Sequence, residues 1–268
     1  MKAWINKMRE YFTRGDTVQD IPESIVDQWG RGCFPRGITD ILNHTFDGNS
    51  NLRTAVLPQT VKRLGDRCFA DCGNLSKLKL NEGLEEVCHN VFTGCESLKS
   101  IVFPDSVAKV EAFAFYNSSF ESPVFNASGD ILYRCPEVAD RKKYTIPRKV
   151  RHIQAGAFLY HKNLEEVIIL ESVEYIHCRS FLGTGIRRLT IPASVKCVEA
   201  KSFWGCEELE EVVVLCDISA LAPAAFFDCP KVKLVTPGQH LTFEESRHIR
   251  GLSILSLDYH LNPPKQDL

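Results

Sequence analysis

The sequence predicts an α+β repeat solenoid of about eight rungs, with parallel strands along one face and a helical N-terminal cap. Two periodic features indicate this fold class. The positions of the repeating phenylalanines differ by 23, 23, 23, 43, 23, 22 and 23, and apolar residues recur at fixed offsets before and after each of them. One apolar template that returns at a nearly constant interval of this size is typical of a solenoid. The repeating phenylalanines are Phe46, Phe69, Phe92, Phe115, Phe158, Phe181, Phe203 and Phe226.

Each repeat is predicted to contain a short strand, a turn and a compact bend that carries the phenylalanine. In the second rung Leu78 is expected to point inward, while Lys77 and Lys79 alternate outward as a strand with period two requires. A single rung buries too few side chains to offset the conformational entropy lost when its whole repeat is ordered. The rungs are therefore expected to stack and to stabilise one another.

Three regions are predicted along the chain. Residues 1–36 lack the template and place Trp4, Ile5 and Met8 at helical spacing, which predicts an N-terminal helical cap. Residues 37–238 form the solenoid, and residues 239–268 form a C-terminal cap and tail that begins with a helix-capping pattern at 242–245. The longest step of the repeat, between Phe115 and Phe158, contains two β-prone runs near 118–147, which predict a hairpin insertion. This hairpin is either a contact element or a structural elaboration of one rung.

Composition argues against nucleic acid and against a membrane span. Lys and Arg total 32 against 34 Asp and Glu, the formal net charge is −2, and no basic run with interleaved aromatics occurs. The apolar runs are far shorter than the roughly 20 residues that cross a bilayer. Charges interrupt the apolar residues of the first ten positions, so no secretory signal is recognised and a cytoplasmic location is predicted. A cell-surface or secreted location is the alternative.

Eleven cysteines, an odd number, favour reduced thiols over a disulfide framework. Four of them lie three residues after a repeat phenylalanine, where the other rungs have Asn, Ser, His or Thr. We predict that this position hydrogen-bonds a turn backbone group. These cysteines are Cys72, Cys95, Cys206 and Cys229. No metal site is predicted, because no C-x-x-C occurs and His44, His89, His152 and His177 occupy different template positions.

The repeat pattern V-x-x-I-x-x-x-A-F-x-x-C-x-x-L-x-x-I-x-[IFV]-P resembles the BspA-like, or Treponema pallidum type, leucine-rich repeat family. It is followed with apolar substitutions from Leu84 through Pro104 and again from Val195 to Val214, and the similarity covers roughly Ile38 to Pro237. The resemblance implies a right-handed, curved leucine-rich-repeat array whose parallel strands line the concave face. It also implies binding of proteins or, in surface-exposed members, of host matrix and other cells. The family has no catalytic residues to transfer.

Two columns of outward positions, eight and ten residues after each phenylalanine, predict the binding surface. Val102, Ile168 and Val213 are apolar at positions expected to face solvent, which is informative in a way that buried apolar residues are not. The alternative explanation is the strand propensity of Val and Ile. The same count places Leu234 and Thr236 outward in the last rung. The predicted partner-binding residues are Lys79, Val102, Glu166, Ile168, Arg188, Thr190, Glu211 and Val213.

The sequence carries no catalytic motif. G-x-S-x-G, a phosphate-binding P-loop and H-E-x-x-H do not occur, and acidic pairs such as Glu165-Glu166 and Glu210-Glu211 recur along the array as solvated strand edges do. The predicted function is therefore a non-enzymatic protein-binding scaffold without a cofactor. A cell-surface or secreted adhesin that binds host or matrix proteins, and a purely structural array, are the alternatives.

Overall fold

In the computed structural model the chain forms two compact units, Met1–Pro136 and Glu137–Leu268. The residues described are 26–34, 37–137, 141–237 and 249. Most of the predicted N-terminal cap, 1–36, and most of the predicted C-terminal cap, 239–268, therefore lie outside the described residues. Ile249 is helical and buried, and its carbonyl accepts a hydrogen bond from the Phe226 N–H at 3.2 Å. The boundary between the units falls within the longest step of the repeat.

The first unit contains two parallel sheets and a hairpin. One sheet pairs β1–β3–β5–β6 in that order, and the other pairs β2 with β4. Paired residues are one repeat apart in the sequence, as with Asp40 and Arg63 or Thr54 and Lys77, so the sequence period is the register of the sheet. The strands are β1 Asp40–Ile41, β2 Thr54–Val56, β3 Arg63–Leu64, β4 Lys77–Lys79, β5 Glu86–Val87 and β6 Lys109–Val110.

The predicted hairpin is present at the end of the first unit. Strands β7 (Val124–Phe125) and β8 (Ile131–Arg134) are antiparallel, with a register shift between Val124 and Phe125. Within the turn, the Asn126 side chain accepts a hydrogen bond from the Ile131 N–H at 2.9 Å.

The second unit is also built from two parallel sheets. Strands β9, β11, β13, β15 and β16 form one sheet, and β10, β12 and β14 lie side by side in the other. The strands are β9 Lys143–Thr145, β10 His152–Ile153, β11 Glu166–Ile168, β12 Tyr175–Ile176, β13 Arg188–Ile191, β14 Cys197–Val198, β15 Glu211–Val214 and β16 Lys233–Val235.

Stacked phenylalanine rings form the centre of each unit. In the first unit, Phe46, Phe69, Phe92 and Phe115 follow one another with ring centroids 5.2, 6.4 and 5.6 Å apart. In the second unit, Phe158, Phe181, Phe203 and Phe226 do the same at 4.9, 5.0 and 4.9 Å. All eight rings are buried. The spacings in the second unit match the distance between neighbouring strands, and consecutive rings in both units lie within 20° of parallel, which confirms that the rungs stack.

Each unit is a β-solenoid, with about eight turns in the two units together, and the α+β label is not supported. The helical structure in the described residues is the 3₁₀ helix Ile218–Ala220 and Ile249. Within the part of the predicted N-terminal cap that is described, Val26 forms an antiparallel bridge with Gly32 in place of a helix.

Left-handed backbone in every bend explains the scarcity of helix. The residue two positions after each repeat phenylalanine has positive φ, and most rungs have a second such residue two positions before it, as Arg67, Arg179 and Lys201 show. Such residues cannot continue a right-handed helix. The residues two positions after the repeat phenylalanines are Gly48, Asp71, Gly94, Asn117, Tyr160, Gly183, Gly205 and Asp228.

Candidate functional site

The larger sheet of the second unit lines a groove of about 720 Å³. Strands β9, β11, β13 and β15 contribute its walls and floor. Six of the eight predicted partner-binding residues line this groove: Glu166, Ile168, Arg188, Thr190, Glu211 and Val213.

Strand alternation positions these side chains. Val167, Leu189 and Val212 point into the core and are at most 3% exposed. Their neighbours on each strand therefore point outward, as the period of two requires. Arg188 and Thr190 are exposed, and both lie on β13 at the centre of the groove-lining strands.

The apolar part of the groove is narrower than the sequence suggests. Ile168 and Val213 are half-buried, and between their strands lies the exposed Thr190, which pairs with Val213. Val235 pairs with Val213 on the other side and is 41% exposed.

The last rung corrects one part of the prediction. The register places Lys233 opposite Glu211 and Val235 opposite Val213, so Leu234 pairs with the inward Val212. Leu234 and Thr236 therefore do not occupy the outward columns, and Lys233 and Val235 take those positions. The segment between Phe226 and β16 is one residue shorter than the same segment of the preceding rung, which shifts the count.

Lys79 and Val102 belong to the first unit. Lys79 is exposed on β4, where it pairs with Val56. Val56 is 63% exposed and Val102 is 68% exposed, so the predicted outward direction of Val102 is confirmed.

Charges of alternating sign run across the strands of the groove. Lys143 pairs with Glu166, Glu166 with Arg188, Arg188 with Glu211 and Glu211 with Lys233. A second row on the neighbouring column has Lys142, Glu165, Arg187 and Glu210. The Lys143 ammonium lies 2.8 Å from the Glu166 carboxylate, and the Lys142 ammonium lies 2.9 Å from that of Glu165.

The two halves of this charged surface differ. The pKa of Glu165 is lowered because Lys142 donates a hydrogen bond to its carboxylate. By contrast, the side chains of Arg187, Arg188, Glu210 and Glu211 form no hydrogen bond or close ion pair with any described residue, and the charge of Arg187 acts only at longer range to lower the pKa of Glu165 and Glu208. This block of two arginines beside two glutamates remains available to a binding partner.

A family model described as the BspA type leucine rich repeat region, in six copies, matches residues 33–135 and 132–249. The chain belongs to this family. The comparison confirms the resemblance seen in the repeat pattern, and with it the leucine-rich-repeat fold.

Several solved bacterial structures are similar to this BspA-type chain. A leucine rich cell surface protein from Faecalibacterium prausnitzii is 22% identical, with 79% of this chain and 66% of that chain covered and a TM-score of 0.47. A leucine-rich repeat protein from Eubacterium ventriosum is 22% identical, with 77% and 72% covered and a TM-score of 0.49. The pneumococcal vaccine antigen PcpA is 20% identical, with 76% and 60% covered and a TM-score of 0.45. A search of the curated proteins gives no match.

The four cysteines that lie three residues after a repeat phenylalanine, here called the cysteine ladder, have the predicted role of hydrogen-bonding a turn backbone group. The Cys72 thiol donates to the Phe46 carbonyl at 2.9 Å, and the Cys95 thiol donates to the Phe69 carbonyl at 3.1 Å. In the second unit Cys206 and Cys229 donate in the same way to Phe181 at 3.1 Å and Phe203 at 3.0 Å. Burial raises the pKa of the Cys95 thiol to about 12, so it remains a protonated donor at neutral pH.

Sequence reasoning missed several groove residues of the BspA-type array. Lys142, Lys143, Glu165, Arg187 and Glu210 line the groove but were not among the predicted binding residues. The signal that identifies them is opposite charge on residues one repeat apart in the sequence, as in Lys142 with Glu165.

Among the residues that the structure describes, no helix is long and apolar enough to span a bilayer. In the same part of the chain, no group of three or more His, Cys, Asp or Glu side chains is arranged to hold a metal ion.

Proposed function

We propose that this BspA-type protein is a non-enzymatic protein-binding scaffold whose groove, on the larger sheet of the second unit, receives the partner. The observation that carries the proposal is that six of the eight predicted partner-binding residues line one groove. A groove that combines apolar side chains with a few placed polar groups is the usual form of a ligand-binding site.

The chemistry of the groove indicates what the partner presents. Arg187 and Arg188 favour a carboxylate, and Glu210 and Glu211, one strand away, favour an ammonium or guanidinium group. Apolar side chains of the partner would cover Ile168 and Val213. Fourteen residues line the groove, fewer than the roughly 20 to 30 per side of a standard interface. The groove therefore suits a short segment of a partner protein.

A non-catalytic role agrees with the environment of the groove carboxylates. Glu165 and Glu166 are exposed to roughly half of their side-chain area and each pairs with a lysine. A general acid or base is usually desolvated so that its pKa lies near the working pH. The lowered pKa of Glu165 departs in the opposite direction.

A reducing compartment, and hence a cytoplasmic location, is part of the proposal. All eleven cysteines are free thiols, and those of the ladder donate hydrogen bonds that a disulfide would remove. Disulfides found in natively expressed protein would instead support the alternative of a cell-surface or secreted adhesin.

Affinity capture with a groove variant tests the proposal. Ile168→Asp with Val213→Asp adds two carboxylates to the apolar centre, and we expect at least a tenfold loss of partner captured by the immobilised protein. The matched control is Val56→Asp with Leu215→Asp, since these residues are exposed but do not line the groove. Equal capture by both folded variants, checked by circular dichroism, would contradict a binding role for the groove.

A further inference from the structure

A pair of histidines lies on the smaller sheet of the second unit, outside the groove. His152 is on β10, and His177 directly follows β12, which pairs with β10. The Nδ1 atom of His152 lies 3.3 Å from the Nε2 atom of His177. The two imidazoles occupy different template positions in the sequence, yet they are diagonal neighbours on adjacent rungs.

Glu199, which directly follows β14, orients the second imidazole. One carboxylate oxygen of Glu199 lies 2.9 Å from the Nδ1 atom of His177, and the other accepts the Cys178 N–H at 2.8 Å. Because a carboxylate accepts a proton at Nδ1, the His177 Nε2 atom has its lone pair directed at His152. A carboxylate behind an imidazole in this way is the usual outer partner of a metal-binding histidine.

The separation of the two nitrogens matches an edge of a metal coordination tetrahedron. Nitrogen ligands about 2.0–2.1 Å from Zn²⁺ in tetrahedral geometry are about 3.3–3.4 Å from each other. The observed separation of 3.3 Å is therefore compatible with one ion bound to both nitrogens. Because the ring centroids are 5.6 Å apart and the two nitrogens point directly at each other, each ring must turn by about 35° for its lone pair to meet the ion. His177 is 22% exposed, and His152 is partly exposed, so water can reach the site and complete the coordination.

We propose that His152 and His177 form a two-histidine site for a divalent transition-metal ion, Zn²⁺ being the reference, with Glu199 as the positioning residue. The ion takes the place of the hydrogen bond between the imidazoles. The proton on the His152 Nδ1 atom moves through solvent to Nε2, so that both lone pairs face the ion and no net charge is transferred. This site adds an ion-binding property to the array and does not depend on the proposed binding function of the groove.

Isothermal titration of the full chain with Zn²⁺ tests the site. We expect one equivalent to bind, with at least a tenfold loss of affinity in His152→Ala and in His177→Ala. Glu199→Gln should lower the affinity about 10–100-fold, since losing an outer-shell partner has effects of that size. His89→Ala is the matched control, because His89 faces Asp66 and Glu111 in the first unit and should not affect binding.

Cobalt distinguishes the histidines from the free thiols and does not depend on the variants folding. In the wild-type chain, Co²⁺ should broaden the ring-proton signals of two of the eight histidines without producing a thiolate-to-cobalt absorption band. A thiolate band, unchanged Zn²⁺ affinity in either His→Ala variant, or no Zn²⁺ binding by the wild-type chain would each overturn the proposal.

Discussion

At the scale of single residues, the left-handed position after each phenylalanine decides how closely two bends approach. Gly183 and Gly205 occupy this same position, with φ values of +64° and +66°. A β-carbon on Gly183 would lie 2.8 Å from the Tyr160 ring, whereas nothing lies within 4 Å of one on Gly205. A comparison of substitutions at the two glycines therefore separates the effect of backbone strain on stability from the effect of steric contact.

Replacing each of these glycines by alanine should destabilise the protein to different extents. Gly205→Ala should cost about 1–2 kcal/mol of unfolding free energy, because alanine is strained in the left-handed region. Gly183→Ala should cost more, because Tyr160 must also move. Urea denaturation measures both values, and equal costs would mean that the Tyr160 contact has no energetic weight.

The buried thiols also act at the residue scale, through the hydrogen bonds that link one rung to the next. Cys95→Ala removes the donor to the Phe69 carbonyl, and a buried acceptor left unpaired costs about 1–3 kcal/mol. Cys95→Ser restores a donor, so we expect its unfolding free energy to exceed that of Cys95→Ala. The reverse order in urea denaturation would show that the site needs only a small apolar group.

At the scale of the rung, charges of opposite sign on neighbouring strands favour one register. In the first unit, Asp40, Arg63, Glu86 and Lys109 are paired in that order. The Glu86 carboxylate lies 3.2 Å from Arg63 and 2.8 Å from Lys109. Exposed pairs of this kind contribute at most about 1 kcal/mol each. If a strand instead paired with the strand one rung further along the array, like charges would lie opposite each other. The main effect of these ion pairs is therefore on the choice of register.

Glu86 predicts a pH dependence of stability. Its pKa is lowered chiefly because Lys109 donates a hydrogen bond to it. A carboxyl whose pKa is lower in the folded state stabilises the fold above its unfolded pKa of about 4.3, and this contribution is lost as the pH falls through the folded pKa. Glu86→Gln should therefore destabilise the protein at pH 7 and have little effect near pH 3. Glu82→Gln, which removes no ion pair among the described residues, is the control for the same denaturation series.

How much of the rung could be predicted depends on which property is periodic. The phenylalanine core, the parallel strands and the thiol ladder follow from residue types at fixed positions. The left-handed backbone at Arg67 and Lys201 could not be predicted, because neither residue type favours positive φ. The sequence also did not predict the contact between His152 and His177, because the two residues are diagonal neighbours on adjacent rungs and their contact depends on side-chain direction. In the last rung, one residue fewer before β16 shifted the outward positions to Lys233 and Val235.

At the scale of the whole molecule, the repeat period determines the fold more than any local sequence pattern does. The sequence interval between successive repeats becomes the strand register within each unit, and the solenoid follows from it. The division into two compact units could not be predicted from the sequence. The hairpin between Phe115 and Phe158 is equally consistent with an enlarged rung and with a boundary between units. The sequence located the groove only in part. The alternation of residues along each strand predicted which side chains point outward, but not how far each of them is buried.

Nearest-neighbour stacking predicts how a local defect spreads along the array. Phe181 is fully buried between Phe158 and Phe203, and its replacement by alanine should cost about 3–5 kcal/mol of unfolding free energy. Since each rung contacts mainly its neighbours, amide protection should fall first in the two adjacent rungs. The reporters are the N–H groups of Phe158 and Phe203, which donate to the Ser180 and Ala225 carbonyls at 2.7 and 3.0 Å.

Hydrogen exchange followed by mass spectrometry measures this gradient within residues 141–237. Phe227→Ala is the control, because that ring is 36% exposed and lies outside the stack, and it should leave the protection pattern unchanged. If Phe181→Ala lowered protection equally in every rung of the second unit, the rungs would unfold as one cooperative block. The stability of this BspA-type array would then not be a sum of neighbouring contacts.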